Sequence, residues 1–225
     1  MNGMNEFFMR DPVRFLRDVC VDNKTMQEGI GGANNIVRLN GAKSGVFDLV
    51  ITGTHDQNQV RLTCVSPEAG YEIQGDLKIE AYWCPFLSGG GLPGWVDVPR
   101  FNPESRLVLT AAMQGCAFVI TDSPASAQYF RVFHNQHPEA SSTWAAIQQS
   151  GVNSTISTFS YEEYGNTIPG AGGGMTNAFN ILWKPPGKKW SYVSQSNRFV
   201  HLDTGLGTRI ERDHAKRILD RPVGV

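Results

Sequence analysis

Short segments in which apolar and polar residues alternate recur along most of the chain, and this pattern limits the fold more than any other feature. The segments are rich in β-branched and aromatic residues and are separated by Gly, Asn, Asp and Pro, as is typical of strands. They cover residues 36–39, 46–51, 60–65, 71–83, 107–113, 116–121, 129–134, 155–159 and 179–183. Because they follow one another with few helices between them, we expect an α+β fold. The core should be a mixed or antiparallel β-sandwich flanked by helices.

Helices are predicted at three places. One covers residues 5–19, where Pro12 could instead mark a first turn. A second covers residues 141–149, with Ser141 or Ser142 as its N-cap. A short amphipathic helix is expected over residues 208–220. Residues 184–188 contain two prolines and a glycine, and they should form the turn of a hairpin that leads to Trp190.

Length and charge narrow the classes of protein and partner. The 225 residues show no repeat and no linker between two cores, so we expect one domain over residues 1–225, working as a monomer. The 20 basic and 21 acidic residues give a net charge of -1, so nothing favours nucleic acid or an anionic membrane as partner. No stretch reaches the roughly 20 apolar residues of a membrane span, and the N-terminus lacks the features of a classical signal peptide.

The most informative segment is a predicted hairpin that carries a cysteine and a histidine. Residues 116–121 and 129–134 are joined by a seven-residue loop of turn-forming residues. If Thr121 pairs with Tyr129, Cys116 lies directly opposite His134, with Cβ atoms about 4.5–5.5 Å apart. A thiol and an imidazole at that distance can share a proton, which would bring the pKa of Cys116 below its ordinary value of about 8.5.

Two simpler interpretations compete with this site. Gly115 would allow a substrate carbonyl to approach the backbone and nearby N–H groups to bind an oxyanion, but it could equally form an ordinary turn. Cys116 could be a buried core residue, which is the usual place of a free cysteine. The other cysteines form no CxxC pair, so neither a zinc site nor a disulfide framework is predicted for Cys20, Cys64 and Cys84.

Four residues, Thr110, Gly115, Cys116 and His134, resemble the active-site segment of the glutamine-deamidase toxins that include Burkholderia lethal factor and the cytotoxic necrotizing factors. In that family a Thr lies six positions before the Cys, a Gly precedes the Cys, and a His ends the next strand. The segment Ala81-Tyr-Trp-Cys-Pro-Phe86 is also similar. The resemblance covers residues 78–138, and more faintly 179–193.

The chain departs from the family at two points. Its sequence is Met113-Gln114-Gly115-Cys116 where the family has Leu-Ser-Gly-Cys, so Gln114 would replace the serine hydroxyl as a donor in the oxyanion and substrate cleft. The hairpin loop is also longer, which is a mild change because the paired strand ends need not move.

The resemblance implies an activity and a place of action. Cys116 would be the nucleophile, His134 the base, and Thr110 the residue that orients the imidazole, with a thioester intermediate and no cofactor. The substrate would be a glutamine in a host protein, of the Rho-family GTPase or translation-initiation helicase type. The chain would then be a virulence toxin or effector, secreted or injected and acting in the host cytoplasm. The alternatives are a cysteine protease or transglutaminase, or a non-enzymatic interaction module.

The remaining motifs give weaker signals. His134 and His137 could be two metal ligands, but no third ligand has a recognisable spacing. The glycine cluster at residues 170–174 lacks the GK[ST] ending of a phosphate-binding loop, and it would instead form a loop at the rim of the cleft. His55, His201 and His214 are expected at the surface. The five tryptophans are expected in the core or the cleft wall.

Overall fold

The computed structural model of the chain describes most of its residues, namely 3–23, 26, 43–52, 58–65, 77–87, 91–150, 154–165, 176–201, 208–212 and 218–225. The predicted turn and strand at residues 29–39, residues 71–76 of another predicted strand, the glycine cluster at 170–174, His55 and His214 lie outside the described residues.

The described residues form four helices and thirteen strands. The helices are α1 (Met4–Arg10), α2 (Pro12–Asp18), α3 (Ser141–Gln149) and α4 (Tyr161–Tyr164). The strands are β1 (Cys20–Asp22), β2 (Ser44–Ile51), β3 (Gln59–Cys64), β4 (Ile79–Cys84), β5 (Gly94–Pro99), β6 (Leu107–Thr110), β7 (Ala117–Asp122), β8 (Tyr129–Asn135), β9 (Thr155–Phe159), β10 (Thr176–Trp183), β11 (Ser191–His201), β12 (Thr208–Arg212) and β13 (Leu219–Pro222).

The strands are arranged in two sheets. A nine-stranded sheet has the order β1-β3-β2-β4-β6-β10-β11-β12, and β13 also pairs with β11. It is mixed, because β1 and β3 are parallel, as are β4 and β6, whereas the other pairs are antiparallel. The second sheet is antiparallel and has the order β5-β8-β7-β9. This arrangement confirms the predicted α+β class.

Alternation of side chains along the strands produces layers. On one face of the large sheet, Leu107 and Leu109 pack with Phe8 and Phe15 of the first two helices. Its other face meets the small sheet, and residues such as Val108, Leu182, Phe118 and Val132 fill the space between the two. The outer face of the small sheet packs on α3 through Val119, Phe133 and Ile147. We call the space between the sheets the inter-sheet layer.

The predicted N-terminal helix is divided in two at Asp11. The carboxylate of Asp11 accepts a hydrogen bond from the backbone N–H of Arg14 at 2.9 Å, and Pro12 occupies the first turn of α2. Both residues favour the start of a new helix, because the cap satisfies a free N–H and proline has none to satisfy. The helix at 141–149 is confirmed, but its N-cap is Ala140, so the prediction of Ser141 or Ser142 is wrong.

The predicted C-terminal helix is also wrong. Residues 208–212 and 219–222 are strands, and both pair with the long strand β11. Backbone N–H and C=O groups along β11 form hydrogen bonds with these two segments, and this pairing outweighs their local helical propensity. The hairpin of β10 and β11 is confirmed, with Trp183 paired to Ser191.

Gly94 begins strand β5. A Cβ atom at Gly94 would collide with the carbonyl oxygen of Pro85, so this glycine allows two backbones to approach closely. Gly94 is paired with His134 of β8. The contact therefore holds the end of β4 against the strand that carries the predicted catalytic base.

Candidate active site

The three predicted catalytic residues come from both sheets. Thr110 ends β6 of the large sheet, His134 lies near the end of β8 in the small sheet, and Cys116 immediately precedes β7. Thr110 and His134 are fully buried, and Cys116 is 6% exposed. Side chains alternate along each strand, so Thr110 shares its face with Val108, and His134 shares its face with Val132. Both faces border the inter-sheet layer.

Thr110 and His134 form a direct contact across the inter-sheet layer. The Thr110 Oγ1 lies 2.7 Å from His134 Nδ1 and 2.7 Å from the carbonyl oxygen of Cys84. A carbonyl oxygen can only accept, so the single hydroxyl proton of Thr110 goes to Cys84. The threonine oxygen must then accept from Nδ1–H of His134. This chain of hydrogen bonds leaves the lone pair of the imidazole on Nε2.

The Nε2 atom of His134 is buried and has no hydrogen-bond partner among the described residues. The ring packs edge-on against Phe86, with ring centroids 5.2 Å apart, and lies 6.5 Å from Phe118. Burial in this apolar surrounding lowers the pKa of His134 to about 3, so the ring is neutral at physiological pH. A buried acceptor without a donor is uncommon in folded proteins, and it is consistent with a proton acceptor in a reaction.

The predicted opposition of Cys116 and His134 is wrong by two residues. His134 is paired with Phe118, and Thr121 is paired with Arg131 rather than with Tyr129. The connecting loop keeps the expected seven residues but is displaced by one position, because the last pair is Asp122 with Phe130. The hydroxyls of Ser123 and Ser126 accept hydrogen bonds from backbone N–H groups within this loop. A shift of two residues preserves the face, so Cys116 still borders the inter-sheet layer with Phe118.

The Cys116 thiol is held as a neutral donor. It donates to the carbonyl oxygen of Gln114 at 3.9 Å. Burial raises the pKa of Cys116 to about 11, and the contact with Gln114 opposes this only in part. The expectation of a lowered thiol pKa is therefore wrong for this structure, because burial in the apolar layer disfavours the thiolate.

The backbone around Cys116 is fixed by a glycine turn and by a tyrosine. Gly115 has a φ of 77°, in the left-handed region that favours glycine. The hydroxyl of Tyr164 donates to the carbonyl oxygen of Cys116 at 2.6 Å. The carbonyl of Tyr164 in turn accepts from the hydroxyl of Ser196. The orientation of the Cys116 peptide is thus set from α4 and β11.

Sequence reasoning missed Tyr164, although a local signal marks the helix that carries it. Ser160 and Glu163 form a capping box, in which the serine side chain bonds to the Glu163 backbone and the Glu163 carboxylate bonds to the Ser160 N–H. The S-x-x-E spacing could have predicted the start of α4. Nothing in the sequence links Tyr164 to Cys116, which lies 48 residues away.

The segment Ala81–Phe86, which was singled out by resemblance, also reaches the site. Cys84 provides the carbonyl that fixes the Thr110 hydroxyl, and Phe86 packs on the imidazole. Of the tryptophans, Trp83 and Trp190 are fully buried, whereas Trp95 and Trp144 pack at the edge of the outer cluster. The described part of the chain contains no group of three or more His, Cys, Asp or Glu residues suited to a metal ion.

The fold and the site together define an α+β sandwich that holds a cysteine, a histidine and a threonine at the layer between two sheets. The chain belongs to the Mcf1 activator-binding domain family, whose sequence pattern matches residues 4–150. That range includes Thr110, Cys116 and His134. No curated protein matches this chain. None of the helices in the described ranges is long and apolar enough to cross a membrane.

Proposed function

We propose that this chain is a cysteine hydrolase that deamidates a glutamine side chain of a protein, with Cys116 as nucleophile and His134 as base. The observation that carries the proposal is the hydrogen-bond chain from His134 through Thr110 to the Cys84 carbonyl. It fixes the ring orientation and tautomer, and it leaves a basic Nε2 without a partner. This division of roles is the one that a nucleophile, its base and an orienting third group require.

The resting groups are a thiol and a neutral imidazole. The proton must therefore move from Sγ of Cys116 to Nε2 of His134 as the sulfur attacks the glutamine amide carbon. The new S–C bond turns the carbonyl oxygen into an oxyanion, for which backbone N–H groups at Gln114, Gly115 and Cys116 are the proposed donors. Thr110 stabilises the imidazolium by accepting from Nδ1–H.

The second half of the reaction restores the enzyme. The C–N bond breaks, and the departing nitrogen takes the proton from Nε2 and leaves as ammonia. Water then attacks the thioester and gives one proton to His134. The C–S bond breaks, the sulfur regains that proton, and the product is glutamate. No cofactor is needed, because bonds are exchanged without oxidation or reduction.

The class of substrate rests on the resemblance to the glutamine-deamidase toxins. By that resemblance the substrate is a host protein of the Rho-family GTPase or translation-initiation helicase type. The chain would then be a toxin or effector, secreted or injected and acting in the host cytoplasm. Conversion of one amide to a carboxylate would disable a catalytic glutamine by changing both its charge and its hydrogen-bond donors.

The test is the mass of candidate target proteins after incubation with the chain, since each deamidation adds about one dalton. Cys116→Ser should abolish the mass change, because a serine hydroxyl is a far weaker nucleophile without further activation. Cys64→Ser is the matched control, because Cys64 is 7% exposed and burial also raises its pKa to about 11. Deamidation that persists in Cys116→Ser would refute the proposal. Cleaved targets would indicate a protease, and incorporated amines a transglutaminase.

The family description favours a second function, which is the binding of an activator. The matched residues 4–150 include most of the described small sheet and all of α3. An activator that opened the inter-sheet layer to water would lower the thiol pKa of Cys116 by reducing its desolvation. Host-cell extract should then form a complex with parent and Cys116→Ser proteins alike, and it should accelerate alkylation of Cys116 in the parent. Neither effect is expected if the chain binds no activator.

A further inference from the structure

The outer face of the small sheet carries a cavity whose lining does not include Cys116, His134 or Thr110. Its volume is about 700 Å³, within the range of small-ligand sites. Its floor includes Gly115 and Ala117, the two residues that flank Cys116 in the sequence. Its walls come from the loop after β8, from α3 and from α4. We call it the outer cavity.

The charged residues that line the outer cavity are acidic. Glu139 lies in the loop after β8, and Glu162 lies in α4. Both side chains are exposed, and neither forms an ion pair within the described part of the chain. The lining includes no lysine or arginine. The imidazole of His137 also lines the cavity. A positively charged group would therefore find two carboxylates and no lysine or arginine that competes for them.

Two aromatic residues complete the walls. Trp144 of α3 is fixed by a hydrogen bond from its Nε1 to the carbonyl oxygen of Pro138 at 2.7 Å. Tyr161 of α4 packs edge-on against Tyr164, with ring centroids 5.6 Å apart. Aromatic rings attract a cation through their electron-rich faces, and guanidinium groups stack on them well. The combination of carboxylates with aromatic rings is complementary to a basic side chain.

We propose that the outer cavity is a docking site for an arginine or lysine side chain of a partner protein. The carboxylates of Glu139 and Glu162 neutralise its charge, and Trp144 and Tyr161 contact its apolar stem and cationic head. A partner held there lies beside the turn that carries Cys116. The site requires no reaction at the thiol, so its binding can be measured separately from the proposed deamidation.

The test uses small probes of the side chain. Nα-acetyl-arginine methylamide should shift the indole N–H resonance of Trp144, which is identified by its loss in Trp144→Phe. The citrulline analogue has nearly the same shape but no charge, and it should cause no comparable shift. The lysine analogue distinguishes a requirement for any cation from a requirement for a planar guanidinium. An equal response to citrulline, or no response to either cation at millimolar concentration, would overturn the proposal.

Variants locate the binding. The double change Glu139→Gln and Glu162→Gln should weaken binding of the arginine probe by about fivefold, since each exposed carboxylate contributes modestly. Glu104→Gln removes a carboxylate from a different cavity, and it should leave the affinity unchanged. Cys116→Ser should bind as the parent does. Unchanged affinity in the double variant would contradict the assignment, whatever the outcome for the thiol chemistry.

Discussion

The two faces of the four-stranded sheet offer opposite environments to residues that are neighbours in the sequence. Cys116 and Phe118 border the apolar inter-sheet layer, where His134 is fully buried. Gly115 and Ala117 border the outer cavity, with exposed carboxylates. The strand period of two separates these environments. Burial raises the pKa of Cys116 and lowers the pKa of His134 on one face, whereas the other face carries exposed acidic side chains.

The largest expected effect concerns the reactivity of Cys116. Burial raises the pKa of Cys116 to about 11. At pH 8.5 the fraction of Cys116 in the thiolate form should therefore be about a hundredfold lower than for an ordinary cysteine. Alkylation of Cys116, followed by peptide mass, should therefore keep rising with pH toward about 11. In the urea-unfolded chain the midpoint should return to about 8.5. A midpoint below 8.5 in the folded protein would show that Cys116 and His134 form an imidazolium–thiolate pair. The inner face of the small sheet would then carry charged groups, as the outer face does.

A smaller effect is expected from Thr110→Val, which removes the group that orients His134. Turnover should fall on the order of a hundredfold, because the imidazole can rotate out of position. Stability should fall by about 1–3 kcal/mol, since the Cys84 carbonyl and Nδ1–H lose their partner.

Two controls accompany this change, with turnover and melting temperature as the readouts. Thr110→Ser keeps the hydroxyl and should retain most of the activity. Thr63→Val alters β3 of the large sheet, away from both the site and the outer cavity, and should leave turnover almost unchanged. Full activity in Thr110→Val, with an unchanged melting temperature, would remove Thr110 from the site and leave Cys116 and His134 as the candidates.

The smallest effect is expected from Tyr164→Phe, which removes one hydrogen bond to the Cys116 carbonyl. The loss is worth about 0.5–1.5 kcal/mol, so kcat should fall by about fivefold. KM should stay constant, because Tyr164 positions the nucleophile rather than the substrate. Tyr129→Phe changes an exposed tyrosine at the start of β8 and should leave kcat unchanged. An effect on KM alone would place Tyr164 in substrate binding instead.

The positions of several strands and of one helix follow from local sequence patterns alone. Strands β2, β3, β7, β8 and β9 and helix α3 appear where the alternation and the helical pattern predicted them. Period and propensity act over a few residues and need no knowledge of the fold. Two of the proposed site residues, Thr110 and His134, were indicated by resemblance and are in contact. Their catalytic roles remain predictions.

The register of the strands, the pairing of the C-terminal segments and the burial of the site depend on tertiary contacts. The register of β7 and β8 places Phe118 rather than Cys116 opposite His134, and residues 208–212 pair with β11 in the large sheet. The neutral states of Cys116 and His134 follow from burial between two sheets, which no local pattern encodes. These features depend on residues far apart in the chain, because desolvation and strand pairing are properties of the packed molecule and not of any single segment.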